Sequence, residues 1–190
     1  DPTQLTRLTH SNPAQDLTLT YDAAGNLQGG LSGRVYTYNG FEQLTQVKVG
    51  TQEYKYQYDA ESRQVAASRG NEAPVRLVYA NERLDTMVEG SKKIRYHNGE
   101  EHPQARTGGV DGPQVHATDG AGSVRGVSAP GQAHARRHYT PYGYTAIALD
   151  DGKVRSMVDL QLPAFNGQRL DVGAGLYHLG NGRRAYDPQL

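Results

Sequence analysis

Among the residues of this 190-residue chain that could do chemistry, the seven histidines come first. His134 and His138 are four apart, but they flank Arg136-Arg137, which repels a cation, and Ala133-His134-Ala135-Arg136 alternates like a strand. His97 and His102 straddle Asn98-Gly99-Glu100-Glu101, a turn followed by charge. The histidines therefore read as solvated or core-edge side chains, and no metal site is assigned. Gly122-Ser123 superficially resembles a nucleophile elbow, yet that elbow needs glycine two residues before and after the serine, where Ala121 and Arg125 stand. Gly120-Ala121-Gly122-Ser123 likewise misses the third glycine of a dinucleotide loop, and no helical pattern follows it. Asp119-Gly120 is better read as a turn before a strand from Ser123 to Val127. A protease reading would have to start at Asp187-Pro188, where an aspartate needs a positioned partner that the residues up to Leu190 do not supply. No catalytic residue and no cofactor is assigned.

The bulk composition narrows the classes further. Twenty basic side chains balance twenty acidic ones, which argues against nucleic acid or a polybasic membrane surface as partner. There is no cysteine, so no disulfide framework or thiolate site. No apolar run approaches the roughly 20 residues of a membrane helix. With neither initiator Met nor signal peptide, Asp1-Pro2 at one end and Asp187-Pro188-Gln189-Leu190 at the other read as the limits of a fragment. Leu, Ile, Val and Phe together make 34 of 190 residues, below the roughly 20% at which disorder becomes an option. Zero net charge and 13 Tyr pull back from disorder, because a tyrosine ring buries a large area while its hydroxyl finds a hydrogen bond. Twenty-three Gly point to many turns, and so to an all-β chain with a core of Tyr, Leu and Val.

The elements that position these residues recur along the chain. Tyr21-Asp22-Ala23-Ala24-Gly25-Asn26-Leu27, Tyr38-Asn39-Gly40-Phe41-Glu42-Gln43-Leu44 and Tyr58-Asp59-Ala60-Glu61-Ser62-Arg63-Gln64-Val65 are three copies of one unit, with a weaker fourth from Tyr79 to Leu84. The anchor tyrosines are 17, 20 and 21 residues apart, room for two short strands and two turns. Alternation such as Tyr54-Lys55-Tyr56-Gln57-Tyr58 puts three aromatics on one strand face. The Asp or Asn after the anchor can accept a hydrogen bond from backbone two residues on, and Gly25 can take a positive φ. Leu27, Leu44, Val65 and Leu84 then start the returning strand. Each unit reads as a β-hairpin whose anchor tyrosine ends a strand and buries its ring. The Asn-Gly pairs at Asn39, Asn98, Asn166 and Asn181 read as type I′ hairpin turns, with positive φ at Gly182 as at Gly25. Ala146 to Lys153 reads as a strand and turn, and Asp151 to Leu162 as one short helix.

The repeat Tyr-Asp-x-x-Gly-x-Leu resembles the YD repeat of Rhs (rearrangement hot spot) proteins, shared with toxin-complex C components and teneurins. Val115 to Val127, Tyr139-Thr140-Pro141-Tyr142-Gly143, Phe165 to Asp171 and Gly175 to Pro188, the last including Asn181, Gly182, Tyr186 and Asp187, resemble the Rhs-associated core in order and spacing. The resemblance divides the chain into YD-repeat hairpins at 1–99, a loop without repeat signal at 100–114, and an Rhs-associated core segment at 115–190 that stops before its C-terminal end. It implies about ten short strands in consecutive hairpins, forming part of a curved, spiralling open sheet. It further implies a shell wall that encloses a C-terminal toxin for delivery to target cells, often by type VI secretion in interbacterial competition. The implied partners are other segments of the same shell, the enclosed toxin domain and a spike or adaptor of the secretion apparatus. The protein would be made in the cytoplasm and then secreted or delivered. The family's self-cleavage motifs would fall beyond Leu190, so no enzyme activity is expected of these residues. The rival expectation is a surface module of teneurin type that binds carbohydrate or protein through exposed tyrosines. In an open sheet, the segments Asp16 to Tyr21 and Tyr177 to Tyr186 are expected to meet further chain.

Overall fold

In the computed structural model, residues 4–13, 16–30, 33–100, 102–147 and 152–189 are described. One turn recurs in it. The carboxylate of Asp22 accepts from the backbone N–H of Ala24 and Asn26 at 2.9 and 2.8 Å, and Gly25, at φ 89°, donates its N–H to the Asp22 carbonyl. Asn39 does the same with Phe41 and Gln43, and Asp59 with Glu61 and Arg63. Asp119 does so with Ala121 and Ser123, a copy hidden in the sequence because Thr118 stands in the anchor position. The side chain thus mimics a backbone turn, and the position three residues after it must be left-handed. Gly25 and Gly122 occupy that position without strain, whereas Glu42 and Ser62 are held there at φ 60° and 63°.

These turns link a meander. The ribbon of β1 (Arg7–Leu8) and β2 (Leu17–Thr18) is followed by β3 (Thr20–Tyr21), β4 (Leu27–Gly29), β5 (Arg34–Tyr38), β6 (Leu44–Val49), β7 (Gln52–Tyr58) and β8 (Gln64–Arg69). Next come β9 (Val75–Ala80), β10 (Arg83–Glu89), β11 (Lys92–Asn98), β12 (Pro103–Gly108), β13 (Gln114–Thr118), β14 (Val124–Ser128) and β15 (Ala135–Arg136). From β3 to β15 each strand pairs antiparallel with the next, giving one open thirteen-stranded sheet that does not close on itself. A second antiparallel sheet, β16 (Gln161–Pro163), β17 (Arg169–Asp171), β18 (Leu176–Leu179) and β19 (Arg184–Tyr186), packs against one face of the first. Period-2 alternation decides that face: Tyr36, Tyr54, Tyr56, Leu77, Ile94 and Tyr96 turn inward to meet Met157, Val158, Ala174 and Leu176. The fold is all-β, an open, curved sheet of consecutive hairpins carrying a C-terminal cap.

Several expectations change in detail. Tyr21, Tyr38 and Tyr58 each end their strands with partly buried rings, and Tyr79 is next to last in its own. Tyr21 pairs with Leu27, Tyr38 with Leu44 and Tyr79 with Leu84, but Tyr58 pairs with Gln64. Gln64, not Val65, therefore starts the returning strand: it holds the place that Leu27 and Leu44 hold after their anchors, and the same bulge precedes all three anchors. The turn after Tyr79 is of another kind, with Asn81 and Glu82 both left-handed and Ala80 paired to Arg83. Asn166-Gly167 and Asn181-Gly182 are left-handed at both residues, as a type I′ turn requires. Asn39-Gly40 and Asn98-Gly99 are not, since Asn39 is committed to the aspartate-type turn and Asn98 belongs to β11. Nineteen strands stand among the described residues where about ten were expected, and Pro103–Gly108, read as loop, is β12. The helix expected from Asp151 to Leu162 is only a 3₁₀ turn at Met157–Leu160, because Gln161 departs into β16 to pair with Asp171. The expected strand and turn at Ala146 to Lys153 falls mostly on residues 148–151, outside the described residues. Asp16 to Tyr21 pairs within the chain through β2 and β3, and Tyr177 to Tyr186 forms the cap strands β18 and β19.

The shared turn position generates a prediction of opposite signs. Gly25→Ala should lose about 1 kcal/mol of stability through left-handed strain, whereas Glu42→Gly, relieving it, should gain about 0.5 kcal/mol. Urea midpoints of the two variants check this. Shifts of the same sign would show that the two turns are not equivalent.

Candidate functional site

The inward tyrosines form two series. In the first, the hydroxyl ties one hairpin to its predecessor: Tyr58 donates to the Leu44 carbonyl at 2.7 Å, Tyr79 to that of Gln64 at 2.8 Å and Tyr139 to that of Val124 at 2.8 Å. Asn98 takes the same role with its amide, donating to the Leu84 carbonyl. In the second series, the residue two positions earlier reaches the cap. Tyr36 donates to Asp187 Oδ2 at 2.9 Å, Tyr56 to Asp171 Oδ2 at 3.0 Å and Tyr96 to the Gln161 carbonyl at 3.1 Å. Asp187 also receives Arg34 at 2.9 Å, and Asp171 receives the Ala174 N–H at 3.0 Å. Asp159 in the 3₁₀ turn gathers Lys92 and the Val110 N–H. Burial pushes the Asp171 carboxyl up and raises the Tyr36 and Tyr56 hydroxyls, so the tyrosines remain donors.

A cleft of about 300 Å³ opens where the cap leaves β9 to β12 uncovered. Tyr79 and Tyr96 form one wall, Arg169 and His178 the floor, and Asn181 and Gly182 the far side. Arg169 donates to the amide oxygens of Gln161 and Gln64. His178 is 3% exposed, its ring edge-on to Tyr56 at 4.8 Å, with no hydrogen-bond partner at either nitrogen. Burial, with the charge of Arg169 behind it, holds this imidazole well below the usual histidine range, so it is neutral.

The sequence-predicted positions divide between these features. Asp22, Asn39 and Asp59 shape turns; Tyr79, Leu84, Asn181 and Gly182 line the cleft; Asp187 and Pro188 are buried in the cap. Tyr186 packs beside Tyr177 and donates to the Tyr142 carbonyl. Ser123 binds the Asn166 N–H with its hydroxyl, pinning β14 to the cap, and does not approach a nucleophile's arrangement. His134 meets Ser128, and His97 meets Thr107. Among the described residues no group of three His, Asp or Glu side chains could hold a metal. Sequence reasoning missed Gln64, Asp171, Arg169 and His178 as partners; only the Tyr54-Lys55-Tyr56-Gln57-Tyr58 alternation signalled where hydroxyls would gather.

What fold and site define together is a hairpin-repeat sheet with a tyrosine-locked cap. No model of a known protein family matches the chain, and no curated protein matches it. Among solved structures, the crystal structure of TcdB2-TccC3 shares the fold at 18% identity and TM-score 0.63, over 96% of this chain and 11% of that one. TcdB2-TccC3-Cdc42 matches at 18% identity and TM-score 0.64, and TcdB2-TccC3 without its hypervariable C-terminal region at 16% and 0.58, with the same coverage. The chain thus spans about a tenth of the length of the structures it matches.

Two predictions test the lock. Tyr56→Phe leaves the buried Asp171 carboxylate short of a donor and should cost about 2 kcal/mol by urea unfolding with an unchanged m-value. A loss under about 0.5 kcal/mol would show that the bond adds little. The other prediction concerns acid. Burial, reinforced by Arg137 and Arg106, pushes the His116 imidazole down to about 4. The native state then binds fewer protons than the unfolded chain, whose histidines titrate near ~6.5. Stability should fall as pH drops below that value, by roughly 1.4 kcal/mol per pH unit, and level off once His116 itself is protonated. Asp171, with its raised carboxyl, acts in the opposite sense as pH rises through its own titration, so the comparison of parent with His116→Asn isolates the histidine. The two stability profiles should converge below pH 6.5; parallel profiles would exclude a buried neutral His116.

Proposed function

We propose that this chain is a segment of the wall of an Rhs-type β-shell that encloses a C-terminal toxin domain for delivery to a target cell. The observation that carries the reading is the open thirteen-strand meander, in which anchor bonds from Tyr58, Tyr79 and Asn98 join successive hairpins in a pattern that admits further hairpins. A sheet built by such a rule grows by repetition, as a wall must. The shared fold with TcdB2-TccC3, of which this chain matches a small part, supports the same reading, as do the YD-repeat and core motifs. On this reading the partners are flanking shell hairpins, the enclosed toxin and a spike or adaptor of the secretion machine, type VI included. The protein is made in the cytoplasm and exported, and its role is mechanical, without turnover. The adhesive alternative would need a platform of tyrosines facing solvent; Tyr142 and Tyr144 are exposed, but the repeat tyrosines Tyr36, Tyr54, Tyr56 and Tyr96 are spent on the interior.

Electron cryo-microscopy of the full-length gene product tests this directly. Strands β3 and β15 should continue into neighbouring hairpins around a cavity that holds polypeptide. A molecule with both strands facing solvent and no enclosed volume would refute the shell. The purified protein should hydrolyse no peptide, phosphate ester or glycoside, and turnover abolished by Ser123→Ala or Asp187→Asn would make it an enzyme instead.

A further inference from the structure

We propose that the cleft between β9–β12 and the cap strands β17 and β18 is a binding site for a carboxylate, received by Arg169 and flanked by His178. The inference is independent of the shell reading and rests on three observations about the same few residues.

The first is a charge without a counter-ion. Arg34 meets Asp187 at 2.9 Å, and the buried Arg106 meets Asp111 at 3.4 Å. Arg169, partly buried in the cleft floor, is held only by two neutral amide oxygens, and among the described residues no carboxylate lies within ion-pair distance of it. Asp171 on the same strand is fully buried and turns its oxygens to Tyr56 and Ala174. At the rim, Glu82 and Arg83 offset one another, and Arg83 is committed to the Gly99 and Glu100 carbonyls. The floor therefore carries a guanidinium that Asp171 influences only through space, with no carboxylate in direct contact among the described residues. A guanidinium's planar fork suits a planar carboxylate.

The second observation is a set of unmet polar atoms beside that charge. Behind the cleft lining, Gln64 is 0% exposed, its oxygen taken by Arg169 and its Nε2 without a partner. Both His178 nitrogens are equally unmet. Buried polar groups of native proteins are paired in the great majority, so the two His178 nitrogens in the cleft lining beside one guanidinium need an explanation. A bound carboxylate would accept from the His178 N–H and would raise the His178 pKa, since a negative charge favours imidazolium, in which both ring nitrogens donate.

The third is shape. At about 300 Å³ the cleft is at the lower end of the range of small-ligand sites, roughly 300 to 1,000 Å³. The Tyr79 and Tyr96 rings give it flat walls, and the hydroxyls of both are already bonded, to the Gln64 and Gln161 carbonyls. A carboxylate carried on a short flat or aliphatic body fits this combination. The source is either a free organic acid or an acidic side chain of a polypeptide laid across the mouth, and both present the same group.

Titration of the full 190-residue chain by ¹⁵N–¹H NMR tests the site, with benzoate as the free acid and benzamide as its neutral isostere. A capped Ala-Glu-Ala peptide and its Gln counterpart form the polypeptide arm. Saturable shifts of the Arg169 Nε–Hε and His178 ring signals are expected with at least one acid and with neither amide, together with a rise in the His178 titration midpoint. The peptide succeeding shows that the mouth admits a chain; benzoate alone succeeding assigns a small molecule. Arg169→Gln should weaken binding about tenfold or more. Because Arg169 also bridges Gln64 and Gln161, a second variant guards against misfolding: Gln168→Glu at the rim should weaken binding about threefold with an unchanged unfolding midpoint. Equal response to acid and amide, no response to either acid, or unchanged affinity in both variants would leave the cleft holding water only and overturn the proposal.

Discussion

The rest of the structure depends on one requirement, that a buried tyrosine must find an acceptor for its hydroxyl. With few Leu, Ile, Val and Phe to spare, the core is filled largely by tyrosine rings, and each ring brings a polar tip into the interior. Left unmet, such a tip costs on the order of 1–3 kcal/mol, which a small core cannot absorb repeatedly. The structure answers with two destinations. Tyr58, Tyr79 and Tyr139 spend theirs on the preceding hairpin, and Tyr36, Tyr56 and Tyr96 on the cap. Local repetition and long-range closure thus rest on the same residue type two positions apart.

The cap follows from the same shortage. A single open sheet exposes both faces, and thirteen short strands with so little aliphatic content would leave the inward tyrosines wet. Residues 157–176 fold back across the hairpins to bring Met157, Val158, Ala174 and Leu176 against them. The carboxylates of Asp171 and Asp187 and the carbonyl of Gln161 give that docking direction, since a slide of the cap by one residue would strand every hydroxyl together. The outer face of the large sheet is mainly polar in alternation, with Lys55, Gln57, Arg76, Arg95 and His97 exposed and Val35, Val78 and Val115 as apolar exceptions.

Where the cap ends, the satisfaction of polar groups ends with it. Arg169 and His178 form the edge of the lock, and the cleft they line is a part of the interface where, among the described residues, a guanidinium has no charged partner and an imidazole no hydrogen-bond partner. Whatever lies along that face of the sheet meets the Arg169 guanidinium in a cleft also lined by Tyr79 and Tyr96.

The period of about 20 residues, the alternation within each strand and the Asp or Asn after the anchor were legible in the sequence, because each is a local consequence of backbone geometry. Those signals carry the hairpins, the all-β class and the left-handed position at Gly25. The turn at Asp119 was legible, but that it copies the repeat was not, since Thr118 replaces the anchor tyrosine; nor was the start of a returning strand at polar Gln64 rather than apolar Val65. The apolar spacing around Met157 suggested a helix, and pairing of β16 with β17 overrode it. The lock and the cleft belong wholly to the tertiary structure. Tyr56 and Asp171 are 115 residues apart, as are, on a similar scale, Gln64 and Arg169 at 105. No local pattern links such residues; only the folding of the cap onto the hairpins brings donor and acceptor into one dry space, where they must pair.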